Sequence, residues 1–198
     1  AAGNVLIVKG CISGGVHSIS FRHADVAESE GPVEPRAVVS VADSNVGFDN
    51  CTVSNSAANG IRIEGAGHSK IQNCAIQRNR GSGIAIYGKG MPEIVNNSIT
   101  ENRFSGIVVY DSKSAKVSGN VIKGNRINGI WLDDKSSLDA KDNDFTENAQ
   151  INGFECRTLF GAKQFDKLEA VASRLRRDKS RYPAGGWQLP WFYNFLSE

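Results

Sequence analysis

Acidic and aromatic side chains, together with one arginine, occur in this sequence in neighbouring columns that repeat at an interval of 23 residues. The set comprises Arg62, Glu64, Tyr87, Tyr110, Asp111, Trp131, Asp133 and Asp134. If each interval is one unit of a stack, these side chains form a patch along one side of it. Aromatic rings stack on the faces of sugars, and carboxylates accept hydrogen bonds from sugar hydroxyls. We therefore expect Arg62, Glu64, Tyr87, Tyr110 and Trp131 to line a glycan-binding groove.

Asp111, Asp133 and Asp134 are the candidates for catalysis within this patch. Asp111 and Asp134 are 23 residues apart, so stacking at the β-strand spacing places them about 5 Å apart. Retaining glycosidases hold two carboxyl groups about 5–5.5 Å apart, and such proximity raises the pKa of one of them. Aspartate is also an ordinary turn residue at the end of a strand, and we favour that interpretation over a catalytic one.

The repeat also indicates which structural elements position these residues. Apolar, glycine and asparagine residues recur at the same interval of 23 residues. The columns are Gly60/Gly83/Gly106/Gly129, Ile61/Ile84/Ile107/Ile130, Ile63/Ile86/Val109/Leu132, Val53/Ile76/Ile99/Ile122/Phe145, Phe48/Ile71/Ile94/Val117/Ala140 and Ser56/Asn79/Asn102/Asn125/Asn148. A constant period of this length is typical of stacked supersecondary units.

Short β-strands explain the repeat better than helices do. Apolar β-branched residues alternate over only a few positions, as in Ile84 and Ile86, which is a strand pattern. Asn, Gly and Ser fill the intervening positions and suit tight turns. We expect one coil of about three short strands per repeat, with the Asn column forming a hydrogen-bonded turn ladder.

The units Asn73–Ile86 and Asn120–Leu132 resemble the right-handed parallel β-helix repeat. That repeat occurs in CASH (carbohydrate-binding and sugar-hydrolysis) domains, NosD-like periplasmic proteins, pectate lyases, alginate epimerases and certain F-box proteins. The resemblance implies an all-β fold of about six coils over residues 1–156. It does not decide function, because the family contains enzymes, binders and scaffolds.

Comparison with the enzymes of this family weakens the catalytic interpretation. The Asp-Pro-His-Asp motif of alginate epimerases is absent from the sequence. Asp111, Asp133 and Asp134 could imitate the carboxylate cluster of calcium-dependent pectate lyases, so calcium is a cofactor only under that alternative. Those lyases also use an arginine base, whereas Arg62 lies two or three coils away from the aspartates, about 10–15 Å.

Composition narrows the function classes further. The net charge is +2, which gives no strong attraction to nucleic acid, and no apolar run is long enough to span a membrane. The four cysteines, Cys11, Cys51, Cys74 and Cys156, form no metal-binding pattern with the histidines. Cys51 and Cys74 share a column, where we expect free buried thiols. The cysteines do not indicate a cellular compartment.

Residues 157–198 have a different character. Ala162–Arg177 has a helical apolar stripe, and the segment after it contains Trp187, Trp191, Phe192 and Phe195. The open end of a β-helix needs covering, so we expect a C-terminal α-helical and aromatic cap. The alternative is a docking segment in which those four aromatic residues anchor a partner.

Together these observations predict a non-catalytic β-helix scaffold. It would bind a protein partner or a glycan along one face, either alone or as a subunit of a larger assembly, without cofactor or metal. The alternative is a polysaccharide-active enzyme, namely a lyase, hydrolase or epimerase, that uses Asp111, Asp133 and Asp134.

Overall fold

In a computed structural model, three parallel β-sheets wind into one solenoid. The structure describes residues 4–23, 37–112, 114–145 and 147–151, positions 154, 155, 158, 159, 162 and 163, and the helix Phe165–Arg177. The predicted right-handed parallel β-helix is confirmed. Among the residues described, five coils have a strand in each sheet, and a sixth has strands in two of them.

Every third strand along the chain belongs to the same sheet. Sheet A contains β1 (Leu6–Lys9), β4 (Ala37–Ala42), β7 (Asn59–Glu64), β10 (Ile84–Tyr87), β13 (Ile107–Tyr110) and β16 (Ile130–Leu132). Sheet B contains β2 (Gly14–His17), β5 (Val46–Asp49), β8 (Lys70–Gln72), β11 (Glu93–Val95), β14 (Ala115–Ser118) and β17 (Leu138–Lys141). Sheet C contains β3 (Ser20–Arg22), β6 (Thr52–Ser54), β9 (Ala75–Gln77), β12 (Ser98–Thr100) and β15 (Val121–Lys123).

The register follows the 23-residue columns. Ile84 pairs with Ile61 on one side and with Ile107 on the other, so identical columns stack. The inward columns form one continuous apolar core, in which Ile61, Ile84 and Ile107 are fully buried. Because side chains alternate between the two faces of a strand, this register fixes which residues face outward.

The predicted asparagine ladder is present at the corner between sheets C and A. Nδ2 of Asn79 donates to Oδ1 of Asn102 (2.9 Å), Asn102 donates to Asn125 (2.9 Å), and Asn125 donates to Asn148 (2.9 Å). All four residues are buried. The ladder therefore satisfies buried polar groups along the stack and presents no binding surface.

A second ladder, which the sequence analysis did not identify, occupies the corner between sheets B and C. Its members are Cys51, Cys74, Asn97, Asn120 and Asn143. Asn97 Oδ1 accepts the backbone N–H of Cys74 (2.9 Å), and Cys74 Sγ accepts the N–H of Cys51 (3.4 Å). The thiol thus replaces an amide oxygen. Both thiols are free, as expected, and so is Cys11.

The C-terminal end of sheet A is covered by a side chain. In earlier coils the N–H of the repeat isoleucine donates to a glycine carbonyl of the next coil, as in Ile107 to Gly129 (2.8 Å). At the last coil, Oε1 of the buried Glu155 accepts the N–H of Ile130 (2.9 Å). Glu155 therefore satisfies a strand edge beyond which the described residues form no further strand of sheet A.

A helix follows the solenoid, as predicted. α1 extends over Phe165–Arg177, within the expected Ala162–Arg177. Leu159 and Leu168 belong to the same buried cluster as the solenoid core, whereas Phe165 at the start of α1 is largely exposed. The rest of the predicted cap, residues 178–198, lies outside the described residues.

Candidate functional site

The outer face of sheet A brings the predicted binding residues together. Tyr87 pairs with Glu64 on one side and with Tyr110 on the other. In the neighbouring outward column, Arg62 pairs with Ala85, and Val108 pairs with Trp131. The five predicted residues therefore lie on adjacent strands of one surface, which we call the aromatic face and define as Arg62, Glu64, Tyr87, Tyr110 and Trp131.

The three rings of the aromatic face form one continuous row of contacts, in which Tyr87 and Tyr110 stack face to face. Tyr87 and Tyr110 lie with centroids 5.0 Å apart and an interplanar angle of 3°. Trp131 follows at 5.1 Å from Tyr110, tilted by 50°. Stacking of neighbouring coils at the strand spacing of about 4.8 Å gives the Tyr87–Tyr110 geometry directly. Trp131 pairs with Val108 and meets Tyr110 diagonally. Tyr110 is 36% exposed and Trp131 is partly exposed, so the stack is accessible to a ligand.

Arg62 and Glu64 end the stack on its N-terminal side. The guanidinium carbon of Arg62 lies 4.4 Å from the centroid of the Tyr87 ring, which is within cation–π distance. Nε of Arg62 donates to Oε2 of Glu64 at 2.8 Å. Arg62 is thereby held on both sides, and its charge is balanced locally. The sequence analysis predicted that Arg62 lies on this face. It did not predict the contact of Arg62 with Tyr87, which lies diagonally opposite on the next strand.

Burial changes the chemistry of one ring. Desolvation raises the pKa of Tyr87, while the positive charge of Arg62 opposes that shift. Tyr87 therefore keeps its hydroxyl proton throughout the physiological range. It remains able to donate a hydrogen bond as well as to stack.

The three aspartates lie at the corner that follows β13 and β16. Asp111 has a positive φ of 51°, the left-handed conformation that Gly65 and Gly88 adopt in the same column. Its N–H donates to Oδ2 of Asp133 at 3.2 Å. The Ser136 hydroxyl first, and then this N–H, lower the pKa of Asp133 below its usual value. Asp133 is thus a poor proton donor and ties two coils together, while Asp111 and Asp134 are exposed.

The outer face of sheet B provides a comparison within the same molecule. Its column is Lys70, Glu93, Lys116 and Asp139, in which charges alternate from strand to strand. Nζ of Lys116 lies 3.3 Å from Oε1 of Glu93. Alternating opposite charges are typical of a solvated surface that stabilises strand pairing. The aromatic face has no such pattern, although the same backbone supports it.

Three expectations concern features away from this face, namely the C-terminal aromatic residues, a metal site and a membrane-spanning helix. Trp187, Trp191, Phe192 and Phe195 lie outside the described residues. Within the described part of the chain, no group of three or more His, Cys, Asp or Glu side chains is placed to hold a metal ion. In the same residues, no helix combines the length and apolar character needed to cross a membrane.

Comparison with known proteins assigns the family. The family model described as "Right handed beta helix region" matches residues 36–163. The chain belongs to this right-handed β-helix family. A search of curated proteins found no significant match.

One solved structure with a similar fold is a mutant of the periplasmic alginate epimerase AlgG. It superposes on this β-helix with a TM-score of 0.55 and 15% sequence identity. The match covers 73% of this chain and 41% of the epimerase chain. At this identity the likeness concerns the fold, and the epimerase is more than twice as long as the region matched.

Proposed function

We propose that this β-helix is a non-catalytic module that binds an extended glycan along the aromatic face. The observation that supports the proposal is the continuous row of ring contacts from Tyr87 through Tyr110 to Trp131 across three neighbouring strands. Glu64 and the Arg62 guanidinium add polar groups at one end of the stack. A rigid array of this kind suits a chain of sugar rings better than a single small molecule.

The energetics of the exposed rings favour a ligand. Burying a whole aromatic side chain contributes about 1.5–3 kcal/mol, so covering the exposed outer edge of Tyr110 would contribute up to about half of that. Because the rings already stack on one another, little side-chain entropy is lost when a glycan binds. Such a preorganised surface needs no conformational change to accept its ligand.

Binding is tested by titrating the protein with a panel of neutral and acidic polysaccharides. Trp131 serves as the fluorescence reporter in a background where Trp187 and Trp191 are replaced by Phe. Tyr110→Ala is expected to weaken binding about threefold to tenfold, from loss of about 0.75–1.5 kcal/mol. Phe104→Ala, which removes another exposed aromatic ring from a different surface, is the matched control and should leave affinity unchanged. Equal affinities of the two variants would refute the proposal.

A polysaccharide-active enzyme is the alternative proposal. It would use Asp111, Asp133 and Asp134, which lie beside the end of the aromatic stack. The role of Asp133 as an ionised acceptor between coils argues against its use as a general acid. Chromatography of polysaccharides after incubation with the protein distinguishes the two proposals. Cleaved or epimerised products that disappear in Asp111→Asn and Asp134→Asn would establish the enzyme.

The proposal also divides the chain at residue 156. Residues 1–156 would form the binding solenoid, and residues 157–198 would cap it or dock it to a partner through Trp187, Trp191, Phe192 and Phe195. Truncation after residue 181 tests this division. Loss of thermal stability would support a cap, whereas unchanged stability with loss of a larger assembly would support docking.

A further inference from the structure

The second ladder, between sheets B and C, ends at Asn143 without an acceptor. In earlier coils the N–H of each ladder residue donates to the side chain of the next, as in Asn97 to Asn120 (2.8 Å) and Asn120 to Asn143 (3.0 Å). Asn143 is 3% exposed, and among the described residues its own N–H has no acceptor. Because buried backbone N–H groups are nearly always paired, we infer that a further acceptor lies beside Asn143.

The residue before Asn143 repeats this deficit. The N–H of Gly119 donates to the carbonyl of Lys141 (3.1 Å). Asp142 is the next member of the same column and also has a positive φ, but the described residues provide no following coil to accept its N–H. Sheet A differs at this end, because Glu155 accepts the N–H of Ile130. Sheet B therefore ends in two consecutive N–H groups that an added strand could use.

A groove of about 460 Å³ lies along the outer edge of β17. β17 and the residues after it form one wall, and the segment that leads to α1 forms the other. The lining includes Ala140, Asn143, Phe154 and Leu159. β17 pairs with β14 on its other side and is the last described strand of sheet B. An open strand edge beside apolar side chains is a site for the addition of a further strand.

The C-terminal segment carries the sequence pattern of this corner. In the coils, an inward residue of sheet B is followed three positions later by the ladder residue and five positions later by an inward residue of sheet C. The sets are Ile94/Asn97/Ile99, Val117/Asn120/Ile122 and Ala140/Asn143/Phe145. Trp191, Asn194 and Leu196 have the same spacing. Residues 191–196 therefore match the corner that would come next in the solenoid.

We propose that residues 191–196 bind the open edge of β17 in the same chain and form a further corner between sheets B and C. Trp191 would pack on Ala140 in the groove, and Oδ1 of Asn194 would accept the N–H of Asn143. The chain from Arg177 to Trp191 can span up to about 46 Å. α1, with 13 residues, is about 20 Å long, so the segment can return to the end of the solenoid.

Two positions of the segment depart from the pattern of the coils. Pro190 cannot donate a hydrogen bond, so pairing begins at Trp191, and the start of a strand is a place that accepts proline. Tyr193 falls at the left-handed position before the ladder residue. Arg78 and Glu101 both have a φ of 56° at another corner of the solenoid. Such corners therefore accept a long side chain in this conformation.

The fluorescence test uses the full chain with Trp131→Phe and Trp187→Phe, so that Trp191 is the only tryptophan left. We expect its emission to be blue-shifted and its quenching by acrylamide to be weaker than in the urea-unfolded chain. Ala140→Lys, which fills the groove, should move the emission toward that of the unfolded chain. Asp139→Lys places the same side chain at the neighbouring outward position and is the matched control, with no change expected.

Hydrogen exchange of residues 138–143, measured by mass spectrometry, tests the ladder contact in the otherwise unchanged chain. Asn194→Ala removes the proposed acceptor of Asn143 and should speed exchange there about fivefold or more, the effect of one lost buried hydrogen bond. Phe192→Ala, at an outward position of the same segment, is the control and should leave exchange unchanged. This variant pair leaves the described solenoid unaltered, so it decides the question even if Ala140→Lys fails to fold.

Several results would overturn the proposal. These are equal quenching of Trp191 in the folded and unfolded chain, equal effects of Ala140→Lys and Asp139→Lys, or no effect of Asn194→Ala on exchange. Protection that is lost on dilution, together with dimers in light scattering, would assign the groove to the segment of a second copy. The inference rests on the capping role proposed above and not on glycan binding, whose reporter is Trp131, so the two can fail separately.

Discussion

Replacement of Asn102 by alanine tests whether the asparagine ladder holds the coils together. Oδ1 of Asn102 accepts both the backbone N–H (3.1 Å) and the Nδ2 group (2.9 Å) of Asn79. Nδ2 of Asn102 donates to Oδ1 of Asn125 (2.9 Å) and to the carbonyl of Ile76 (3.3 Å). The residue is fully buried, so Asn102→Ala removes the acceptor of two buried donors of Asn79.

The expected loss of stability follows from those two donors. Each buried donor left without an acceptor costs about 1–3 kcal/mol, so the free energy of unfolding should fall by about 2–6 kcal/mol. With a urea m-value of about 2 kcal/mol/M, the unfolding midpoint should fall by about 1–3 M. Urea titration followed by far-UV circular dichroism measures this shift. The control is Ser98→Ala, an exposed position on the preceding strand, which should change stability by no more than about 0.5 kcal/mol.

Asn102→Asp extends the test to the charge state of the ladder. A buried carboxylate has a raised pKa because the charged form is desolvated. A raised folded-state pKa stabilises the folded chain below the unfolded-state pKa, and that contribution is lost as the pH rises through the folded-state pKa. The deficit of Asn102→Asp relative to wild type should therefore be larger at neutral pH than at about pH 4. If Asn102→Ala and Ser98→Ala unfold at the same urea concentration, the ladder does not stabilise the stack.

Three further predictions concern single positions. Gly106→Ala should destabilise the fold by about 1–3 kcal/mol in thermal melting, because the added Cβ would lie 2.7 Å from a carbonyl oxygen of the next coil. In the control Gly47→Ala, the added Cβ meets nothing closer than 3.8 Å, so the change should be tolerated. Glu155→Gln keeps an acceptor for the N–H of Ile130, but Glu155→Ala removes it and should lower the unfolding free energy by about 1–3 kcal/mol. Burial raises the pKa of the Cys74 thiol from 9.0 to about 11, so a thiol reagent should modify it at neutral pH only after unfolding. The same shift stabilises the folded chain below pH 9, and that contribution is lost between pH 9 and about 11.

The constant period explains why so much of the fold could be predicted. A slip of one residue in register would exchange the inward and outward faces, so columns such as Ile61/Ile84/Ile107 fix pairing and orientation together. The predicted outward positions of Arg62 and Trp131 followed from that alternation alone. The diagonal contact of Arg62 with Tyr87 depends on side-chain length and torsion angles, which the period does not specify.

Two structural features were missed for different reasons. The ladder of Cys51, Cys74 and Asn97 changes residue type along one column, and only the cysteine pair was noticed. Following the interval from Cys74 to Asn97 and onward would have found it. Glu155 gave no comparable signal, because the period slips just before it. Its contact with Ile130 depends on how the chain packs after the repeat ends.

The three sheets share one backbone geometry and one core, so any difference in function must come from their outward columns. Sheet B pairs Glu93 with Lys116, and further contacts with a ligand would compete with that ion pair. On sheet A, Tyr110 has Tyr87 on one side and Trp131 on the other. The outward edges of these rings stay in water, and a ligand could cover that apolar surface. The free energy available for binding is therefore larger on the aromatic face than on sheet B. This difference, rather than the family resemblance, is the reason to look for the ligand there first.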